Sequence, residues 1–295
     1  MPYIFLYLSV TSPSIITAEN HRNHMLQYPY DRIIFHPNLV CRTCRRIKPP
    51  RSKHCSICKG CVARHDHHCV WLKTCVGRNN YRYFLALLVS LSFLLAYGAY
   101  QGCFIIDGRL QDAVNVHSPN PRSVPHWSKG LTWKIWFEFW ILALADDVRI
   151  GAVALLAALT TPLAAGMLAY HIYLIWAGTT TNESSKWGDW RDDISEGVAY
   201  MAKSSEVHKI DGWDDFSEPY VAWPKKSTHT LIYNVGGEPP KLGYTFTTEQ
   251  NSISQPESPN APIDSRWTRV QNLEQVINIY DLGFWDNLRE ALFGR

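Results

Sequence analysis

Cysteine is almost absent from most of this chain, because seven of its eight cysteines lie between positions 41 and 75 and the eighth is Cys103. Such clustering argues against a disulfide framework, and thiols that must stay reduced predict that this segment faces the cytosol. Acidic residues are also scarce here, since residues 41–82 contain eleven Lys or Arg and one acid, Asp66. Two explanations of this basic excess stay open: contact with phosphate-bearing partners, or the positive-inside rule for loops beside a membrane helix.

Charged residues are missing from two long apolar runs. Residues 83–106 contain none, and residues 150–177 contain only His171 as an ionisable group. Both runs exceed the roughly 20 residues that a helix needs to cross a bilayer. The sequence therefore predicts two transmembrane helices.

These two spans divide the rest of the chain. Residues 1–17 begin with an apolar run of only about ten residues, too short to span, and we interpret them as the remnant of an N-terminal transmembrane helix. Residues 18–82 are predicted to form a cytosolic cysteine-rich zinc domain. Residues 107–149 are predicted to be a lumenal loop in which 131–145 forms an interfacial helix. Residues 178–295 then return to the cytosol as a C-terminal tail.

The predicted fold class is an α-helical integral membrane protein with a cytosolic, zinc-stapled cysteine-rich module and a mixed cytosolic C-terminal tail. Near the end of the tail, residues 280–293 follow a helical pattern with an apolar face. The apolar side chains of this face are Phe284, Trp285, Leu288, Leu292 and Phe293. Two interpretations of this face stay open, contact with a membrane surface or packing on the protein's own core.

The pattern Cys-x2-Cys-x9-His-x6-Cys occurs twice, the second copy fourteen residues after the first. The first quartet is Cys41, Cys44, His54 and Cys61, and the second quartet is Cys55, Cys58, His68 and Cys75. Three thiolates and one imidazole are the ligand set of a closed tetrahedral zinc site. The spacing therefore predicts two structural zinc ions.

Cys69 is the one cysteine of this segment that belongs to neither quartet. It ends the run Asp66-His67-His68-Cys69, so an imidazole and a carboxylate lie beside a free thiol. His67 is a candidate base and Asp66 a candidate orienting group, which is the arrangement that nucleophilic catalysis needs. Because the module adjoins the first span in a basic setting, an acyl-CoA thioester suits such a thiol. The alternative is a structural pair of zinc knuckles in which Cys69 takes no part.

Residues 41–84 resemble the cysteine-rich domain of the DHHC protein S-acyltransferases. The matching elements are KPxRxxHCxxC at 48–58, the DHHC core at 66–69 and CVGxxNYRxF at 75–84. Thr180 to Glu183 resemble the family's TTxE motif, and Asn278-Ile279-Tyr280 resembles its aromatic C-terminal element. The flanking sequence is similar to the fungal endoplasmic-reticulum branch that is linked to spore-wall formation and to acylation of transmembrane SNAREs.

The resemblance implies a two-step reaction in which palmitoyl-CoA acylates Cys69 and the acyl group then passes to a cysteine of a membrane-associated protein. It implies catalytic roles for Asp66 and His67 and a zinc-ligand role for His68. It also implies two structural Zn²⁺ ions and a multi-pass protein of the endoplasmic reticulum membrane, with its active site facing the cytosol. The expected partners are acyl-CoA, the lipid bilayer and SNARE-like substrates with juxtamembrane cysteines, without nucleic acid.

The competing function is a non-catalytic, membrane-tethered zinc module that binds anionic lipid or nucleic acid. Three departures from the family pattern also bear on activity. Val70 replaces the usual Pro, a change that is conservative in bulk. Lys73 and Thr74 replace two Asn, and the loss of the Asn next to Cys75 is expected to weaken local hydrogen bonding and lower activity. The resemblance further predicts two helices before the zinc module, of which this chain holds at most part of one.

Overall fold

The computed structural model divides the chain into two compact units, one of Met1–Phe5 with Leu85–His171 and the other of Leu6–Phe84 with Ile172–Arg295. The described residues are 1–117, 126–129, 131–207, 219–233, 238–242, 245–247, 252–254 and 260–294. Residues 118–125 and 130 of the predicted 107–149 loop therefore lie outside the described residues, as do parts of the predicted tail.

The helices are α1 (Pro2–Thr11), α2 (His21–Met25), α3 (Tyr81–His117), α4 (Trp133–Asp146), α5 (Val148–Trp176), α6 (Thr181–Glu196), α7 (Ser204–Val207) and α8 (Phe284–Phe293), with a 3₁₀ turn at Leu273–Gln275. The strands are β1 (Lys53–Cys55), β2 (Gly60–Val62), β3 (His67–Cys69), β4 (Thr74–Val76), β5 (Ala199–Lys203), β6 (His229–Tyr233), β7 (Thr245–Thr247), β8 (Ser252–Ser254) and β9 (Thr268–Arg269). β1 pairs with β2 and β3 with β4 as antiparallel hairpins. The other strands form one sheet in the order β7-β8-β6-β5-β9.

Two of these helices, α3 and α5, are long and apolar enough to cross a membrane. Only 22% and 11% of their most apolar stretches are buried, whereas a helix in the core of a soluble protein is mostly buried. α5 matches the predicted 150–177 within two residues, but α3 continues eleven residues beyond Ile106. The charge-free run measures the apolar length of α3. The polar segment after it contains the good helix formers Arg109, Leu110, Gln111 and Ala113, so the helix can continue beyond the apolar run.

Within the first unit, α3 and α5 approach closely at a glycine. A Cβ atom added to Gly102 would lie 2.4 Å from the Cβ of Ala154, so the missing side chain permits this contact. The third helix of the unit, α4, overlaps the predicted interfacial helix 131–145 and has no buried residue. Its aromatic residues Trp136 and Trp140 pack on Trp127. The position of α4 at a membrane surface stays a prediction.

The second unit has a hydrophobic core that joins distant parts of the sequence. Residues before the cysteine-rich segment, α6, the five-stranded sheet and the Asn278–Tyr280 element all contribute buried side chains. Its largest members include Tyr28, Phe35, Trp187, Trp190 and Tyr280. This core joins α6 and the C-terminal element to the segment that precedes the cysteine-rich hairpins.

Helix α8 is inserted with its polar face inward. Its buried residues are Asn287, Glu290 and Ala291, whereas Trp285 and Phe293 are 77% and 76% exposed. Core packing, the second interpretation of this apolar face, is therefore wrong for Trp285 and Phe293. The inversion has a physical cause, because Glu290 forms ion pairs with the buried Arg64 and the partly buried Arg78 of the cysteine-rich segment.

Candidate active site

The two hairpins bring together the two predicted quartets. In each hairpin the His of a quartet lies opposite its last Cys, His54 opposite Cys61 and His68 opposite Cys75. The remaining two cysteines of each quartet come from the preceding Cys-x-x-Cys turn. Each set has its four potential ligand atoms within 4.8 Å of one another.

The distances inside each quartet fit a tetrahedral ion. The Nδ1 atom of His54 lies 3.5, 3.4 and 3.9 Å from the sulfur atoms of Cys41, Cys44 and Cys61. The Nδ1 atom of His68 lies 3.6, 3.4 and 3.6 Å from those of Cys55, Cys58 and Cys75. Zinc with Zn–S of about 2.3 Å and Zn–N of about 2.0 Å gives tetrahedral S···N edges of about 3.5 Å. The donor atoms and their spacing thus suit zinc.

A third copy of the same turn follows Cys69. Each Cys-x-x-Cys turn of a quartet ends in a residue with left-handed backbone, Arg45 at φ 52° and Lys59 at φ 54°, and fourteen residues later Lys73 has φ 53°. The family's Asn tolerates this conformation better than Lys does, so the Lys73 departure carries some backbone strain. The backbone around Cys69 is therefore that of a zinc-knuckle turn.

The sulfur of Cys69 receives the same backbone contacts as the sulfurs of the quartets. The N–H groups of Cys44 and Cys58 lie 3.4 Å from the sulfurs of Cys41 and Cys55. For Cys69, burial alone would raise its pKa, but hydrogen bonds from His67 and from the N–H groups of Leu72 and Trp71 lower it overall.

The alternating side chains of strand β3 direct the candidate catalytic residues to one face and a candidate metal ligand to the other. Side chains of residues i and i+2 share one face of a strand, so His67 and Cys69 point the same way and His68 points to the other face. His68 joins the second quartet. His67 and Cys69 are linked by a side-chain hydrogen bond instead. The predicted base and the predicted nucleophile are thus brought together by three consecutive residues.

Asp66 contacts the ring nitrogen of His67 that does not face Cys69. Its Oδ2 atom lies 2.7 Å from Nδ1 of His67, which leaves Nε2 as the nitrogen available to Cys69. Burial lowers the pKa of His67, but its hydrogen bonds to Asp66 and Cys69 raise the pKa by more. The net pKa is about 9. An imidazolium beside the sulfur favours the thiolate form of Cys69.

Asp66 is itself held by the start of α6. It is 1% exposed, and it accepts hydrogen bonds from the backbone N–H of Thr181 at 3.0 Å and from the Thr181 hydroxyl at 2.8 Å. The preceding Thr180 caps the helix and forms a capping box with Glu183, and its hydroxyl also donates to the carbonyl of His65 at 3.1 Å. The first turn of α6 therefore fixes the backbone and the side chain that orient His67.

Glu183 forms a buried ion pair with Arg51. The Nε and Nη2 atoms of Arg51 lie 2.7 Å from the two carboxylate oxygens of Glu183, so the pair is bidentate. Arg51 has a left-handed backbone, φ 60°, and its carbonyl accepts the N–H of His65 at 2.9 Å. Through this pair α6 is tied to Arg51, whose backbone in turn bonds His65, the residue before Asp66.

The C-terminal element packs on the same arginine. The ring of Tyr280 lies 4.6 Å from the guanidinium carbon of Arg51, and its hydroxyl donates to the carbonyl of Pro29 at 2.8 Å. Asn278 donates to the carbonyl of Ala177, just before α6, at 3.3 Å. Arg51 is thus enclosed by an aromatic face as well as by Glu183.

Two apolar residues beside the thiol are exposed. Val70 and Trp71, which follow Cys69 in the turn, are 69% and 90% exposed. Cys69 itself is only 8% exposed. An apolar rim beside a shielded thiol suits an acyl chain better than a polar substrate.

Sequence reasoning missed the long-range contacts of this site. The sequence indicates Thr181 and Glu183 only through their resemblance to a motif, and it predicts no role for Arg51 or Glu290. The signal for Arg51 was its place in the KPxR element. No local pattern pointed to Glu290, because its partners lie more than 200 positions earlier in the sequence.

The fold and the site together define a membrane protein whose cysteine-histidine module presents one activated thiol outside two metal-type quartets. The sequence profile of the DHHC palmitoyltransferases matches residues 34–188, slightly more than half of the chain. The chain belongs to the DHHC palmitoyltransferase family. It is therefore a protein S-acyltransferase, and it shares the membrane location of its family.

Its relatives include fungal palmitoyltransferases named Swf1. The chain is 51% identical to the protein of Aspergillus fumigatus over 99% of its own length and 75% of the relative. It is 46% identical to the protein of Emericella nidulans over 98% of its own length and 68% of the relative. It is 32% identical to that of Saccharomyces cerevisiae over 93% of its own length and 68% of the relative. The comparisons thus favour the enzyme over the non-catalytic zinc module.

Proposed function

We propose that Cys69 is the residue that carries the acyl group. The observation behind this proposal is the alternation of β3, which places the thiol and His67 on one face and a quartet ligand, His68, on the other. The thiolate of Cys69 attacks the thioester carbonyl of palmitoyl-CoA, the C–S bond to CoA breaks, and CoA leaves as a thiol. In the second step, the sulfur of a substrate cysteine attacks the new thioester and Cys69 leaves.

His67 moves the protons in both steps. It takes the proton of Cys69 when the thiolate forms and gives it to the departing CoA sulfur, and in the second step it deprotonates the substrate thiol. Asp66 stabilises the imidazolium and keeps Nε2 directed at Cys69. A thioester-to-thiol exchange is nearly balanced in energy, so positioning and thiolate formation are the main tasks of the protein.

The two quartets are proposed to hold two structural Zn²⁺ ions. Each quartet fills four tetrahedral positions, so the metals fold the module and leave no open position for substrate. Bound to His68 of β3 and to Cys75 in the middle of β4, the second ion would restrain the backbone on both sides of Cys69. The chain's residues, and not the metals, then carry out the chemistry.

The proposed topology is multi-pass, with residues 18–82 and 178–295 in the cytosol and 107–149 in the lumen of the endoplasmic reticulum. Two crossings, by α3 and α5, would return the tail to the side of the cysteine-rich module. A glycosylation site inserted beside Ser195 is expected to stay unmodified. Modification there would mean an odd number of crossings between the module and the tail, and the topology would be wrong.

The substrates proposed are membrane proteins with cysteines close to the bilayer, of the SNARE type. The support is the resemblance of the flanking sequence together with the position of Cys69 twelve residues before the start of α3. A thiol so close to an apolar helix in sequence suits a membrane-adjacent acceptor. Acyl transfer to a peptide with a juxtamembrane cysteine, and not to the same peptide with that cysteine moved far along the chain, would test this preference.

The catalytic assignment is tested at single sulfur atoms. Cys69→Ala is expected to keep about two zinc ions per chain and to lose a hydroxylamine-sensitive acyl label. Cys75→Ala is expected to lose about one zinc and to destabilise the module, because it removes a ligand of the second quartet. Cys103→Ala is the matched control, since Cys103 is an exposed cysteine of α3 and should change neither readout. If Cys69→Ala loses zinc or keeps the label, the assignment fails.

A further inference from the structure

A basic pocket lies between the cysteine-rich segment and the C-terminal helix of the second unit. It has a cavity volume of about 110 Å³ and is lined by Arg64, Arg78, Arg82, Glu290 and Phe293, among others. A single water needs only about 10–15 Å³ of such volume, so the pocket has room for a group of several atoms. No part of the proposed catalytic machinery lines it.

The charges around this pocket do not cancel. Arg51, Arg64 and Arg78 lie within 4.0 Å of the Glu290 carboxylate, and Arg82 lines the same pocket. Glu183 neutralises Arg51 from the other side. Four guanidinium groups against two carboxylates leave two positive charges. A doubly charged anion would balance them.

Arg64 has unused hydrogen-bond donors. The side chain is 5% exposed, and its Nη2 atom lies 3.1 Å from Glu290. Its Nε and Nη1 atoms are buried and have no hydrogen-bond partner among the described residues. Leaving buried donors of a charged group unpaired is costly, which favours a ligand that accepts from them. Guanidinium forks bind phosphate oxygens with two parallel bonds.

The pocket also adjoins apolar elements. Arg82 lies in the first turn of α3, one of the two helices apolar enough to cross a membrane. Phe293, on its rim, is 76% exposed and belongs to the outward apolar face of α8. Basic residues at the end of a span with an exposed aromatic residue beside them are suited to the headgroup level of a bilayer.

We propose that this pocket binds a phosphate group, and that the phosphate is the headgroup of an anionic phospholipid. Arg64 supplies the buried fork, Arg78 and Arg82 supply the outer donors, and the exposed face of α8 lies against the acyl region. The lipid would then hold α8, the cysteine-rich segment and the start of α3 together. The proposal does not depend on which thiol carries the acyl group.

The first test measures binding with two probes on the purified full chain. In neutral detergent, inorganic phosphate should raise the thermal unfolding midpoint above that in chloride at the same ionic strength. In nanodiscs, phosphatidylcholine containing phosphatidic acid should raise it above phosphatidylcholine alone. If neither probe shifts the midpoint, the proposal is overturned.

Variants then locate the effect. Arg64→Gln and Arg82→Gln should weaken phosphate binding by roughly 10- to 100-fold, the effect of losing hydrogen bonds to a charged group. Arg289→Gln makes the same charge change at an exposed position of α8 outside the pocket and should leave binding near wild type. Arg82 is exposed, so its variant is informative even if Arg64→Gln does not fold. Equal losses for Arg82→Gln and Arg289→Gln would contradict a built site.

A last comparison separates the lipid from the acyl donor as the source of the phosphate. CoA and 3′-dephospho-CoA are compared for their effect on the unfolding midpoint of wild type and of Arg82→Gln. If the pocket binds lipid, Arg82→Gln should leave the difference between the unfolding midpoints with CoA and with 3′-dephospho-CoA unchanged. If Arg82→Gln abolishes that difference, and phosphatidic acid has no effect, the lipid assignment is wrong.

Discussion

Removing one partner of the ion pair between Arg51 and Glu183 should destabilise the folded protein by several kcal/mol. Both side chains are 1% exposed, and two nitrogen–oxygen contacts of 2.7 Å join them. We consider Glu183→Gln, which keeps the shape and can still accept the capping-box hydrogen bond from Thr180. It leaves Arg51 as a buried cation without its main partner.

Breaking one side of a buried pair costs about 3–5 kcal/mol, because the remaining charge stays desolvated. Here the lower end, about 3 kcal/mol, is expected, since Arg51 also lies 3.8 Å from Glu290 and against the rings of Tyr28 and Tyr280. Arg51→Met should cost a similar amount. The double variant removes both charges, so its cost should fall about 2 kcal/mol short of the sum of the two single costs.

The assay is reversible unfolding of the full chain in neutral detergent, with zinc content measured for every variant. Glu196→Gln is the control, because Glu196 ends the same helix, α6, and is exposed. It should change stability by less than about 0.5 kcal/mol. Additive effects of Arg51→Met and Glu183→Gln, or a Glu183→Gln variant as stable as the control, would refute the reasoning.

Two further predictions concern the thiol and its supports. Thr181→Val removes the hydroxyl that donates to Asp66 but keeps the backbone N–H, so acylation of Cys69 should slow about tenfold at unchanged zinc content. Thr181→Ser keeps a hydroxyl and should acylate at a rate near wild type. Similar rates for the Val and Ser variants would exclude a positioning role for the hydroxyl. Lys73→Asn places a residue that tolerates left-handed backbone at φ 53° and should raise the free energy of unfolding by up to about 1 kcal/mol. Lys53→Asn makes the same change in strand β1 and should give no gain in stability. A destabilised Lys73→Asn variant would show that the turn carries no such strain.

Local spacing was enough to predict the parts of the site that lie close in sequence. Ligand intervals predicted which cysteines and histidines meet, because each quartet is closed by one turn and one short hairpin. The absence of charge predicted the two apolar helices but not the end of α3, because helix formation continues into polar sequence. The prediction was therefore accurate for residue groupings that one turn and one short hairpin determine, and less so for the length of a helix.

The contacts that orient the site were beyond local reasoning. Thr181 meets Asp66 across 115 positions and Glu183 meets Arg51 across 132, so neither pairing leaves a period or an interval in the sequence. Helix α8 shows the same limit. Its apolar residues suggested which face is distinctive, but the buried face is set by Glu290, whose arginine partners lie in the cysteine-rich segment.

The threefold turn has a consequence for the origin of the reactive thiol. Continuing the fourteen-residue interval once more would give a third quartet made of Cys69, Leu72, Arg82 and Val89, in which only the first residue can ligate zinc. The left-handed residue and the N–H groups aimed at sulfur are nevertheless all present. Cys69 thus occupies the position of the first ligand of a quartet whose other three positions hold no cysteine or histidine. If Cys69 is the acyl carrier proposed above, the backbone that suits a sulfur anion to a metal cation in the quartets presents the same anion to an electrophile here. The proposed zinc sites and the proposed reactive centre then share one backbone conformation and differ in their side chains.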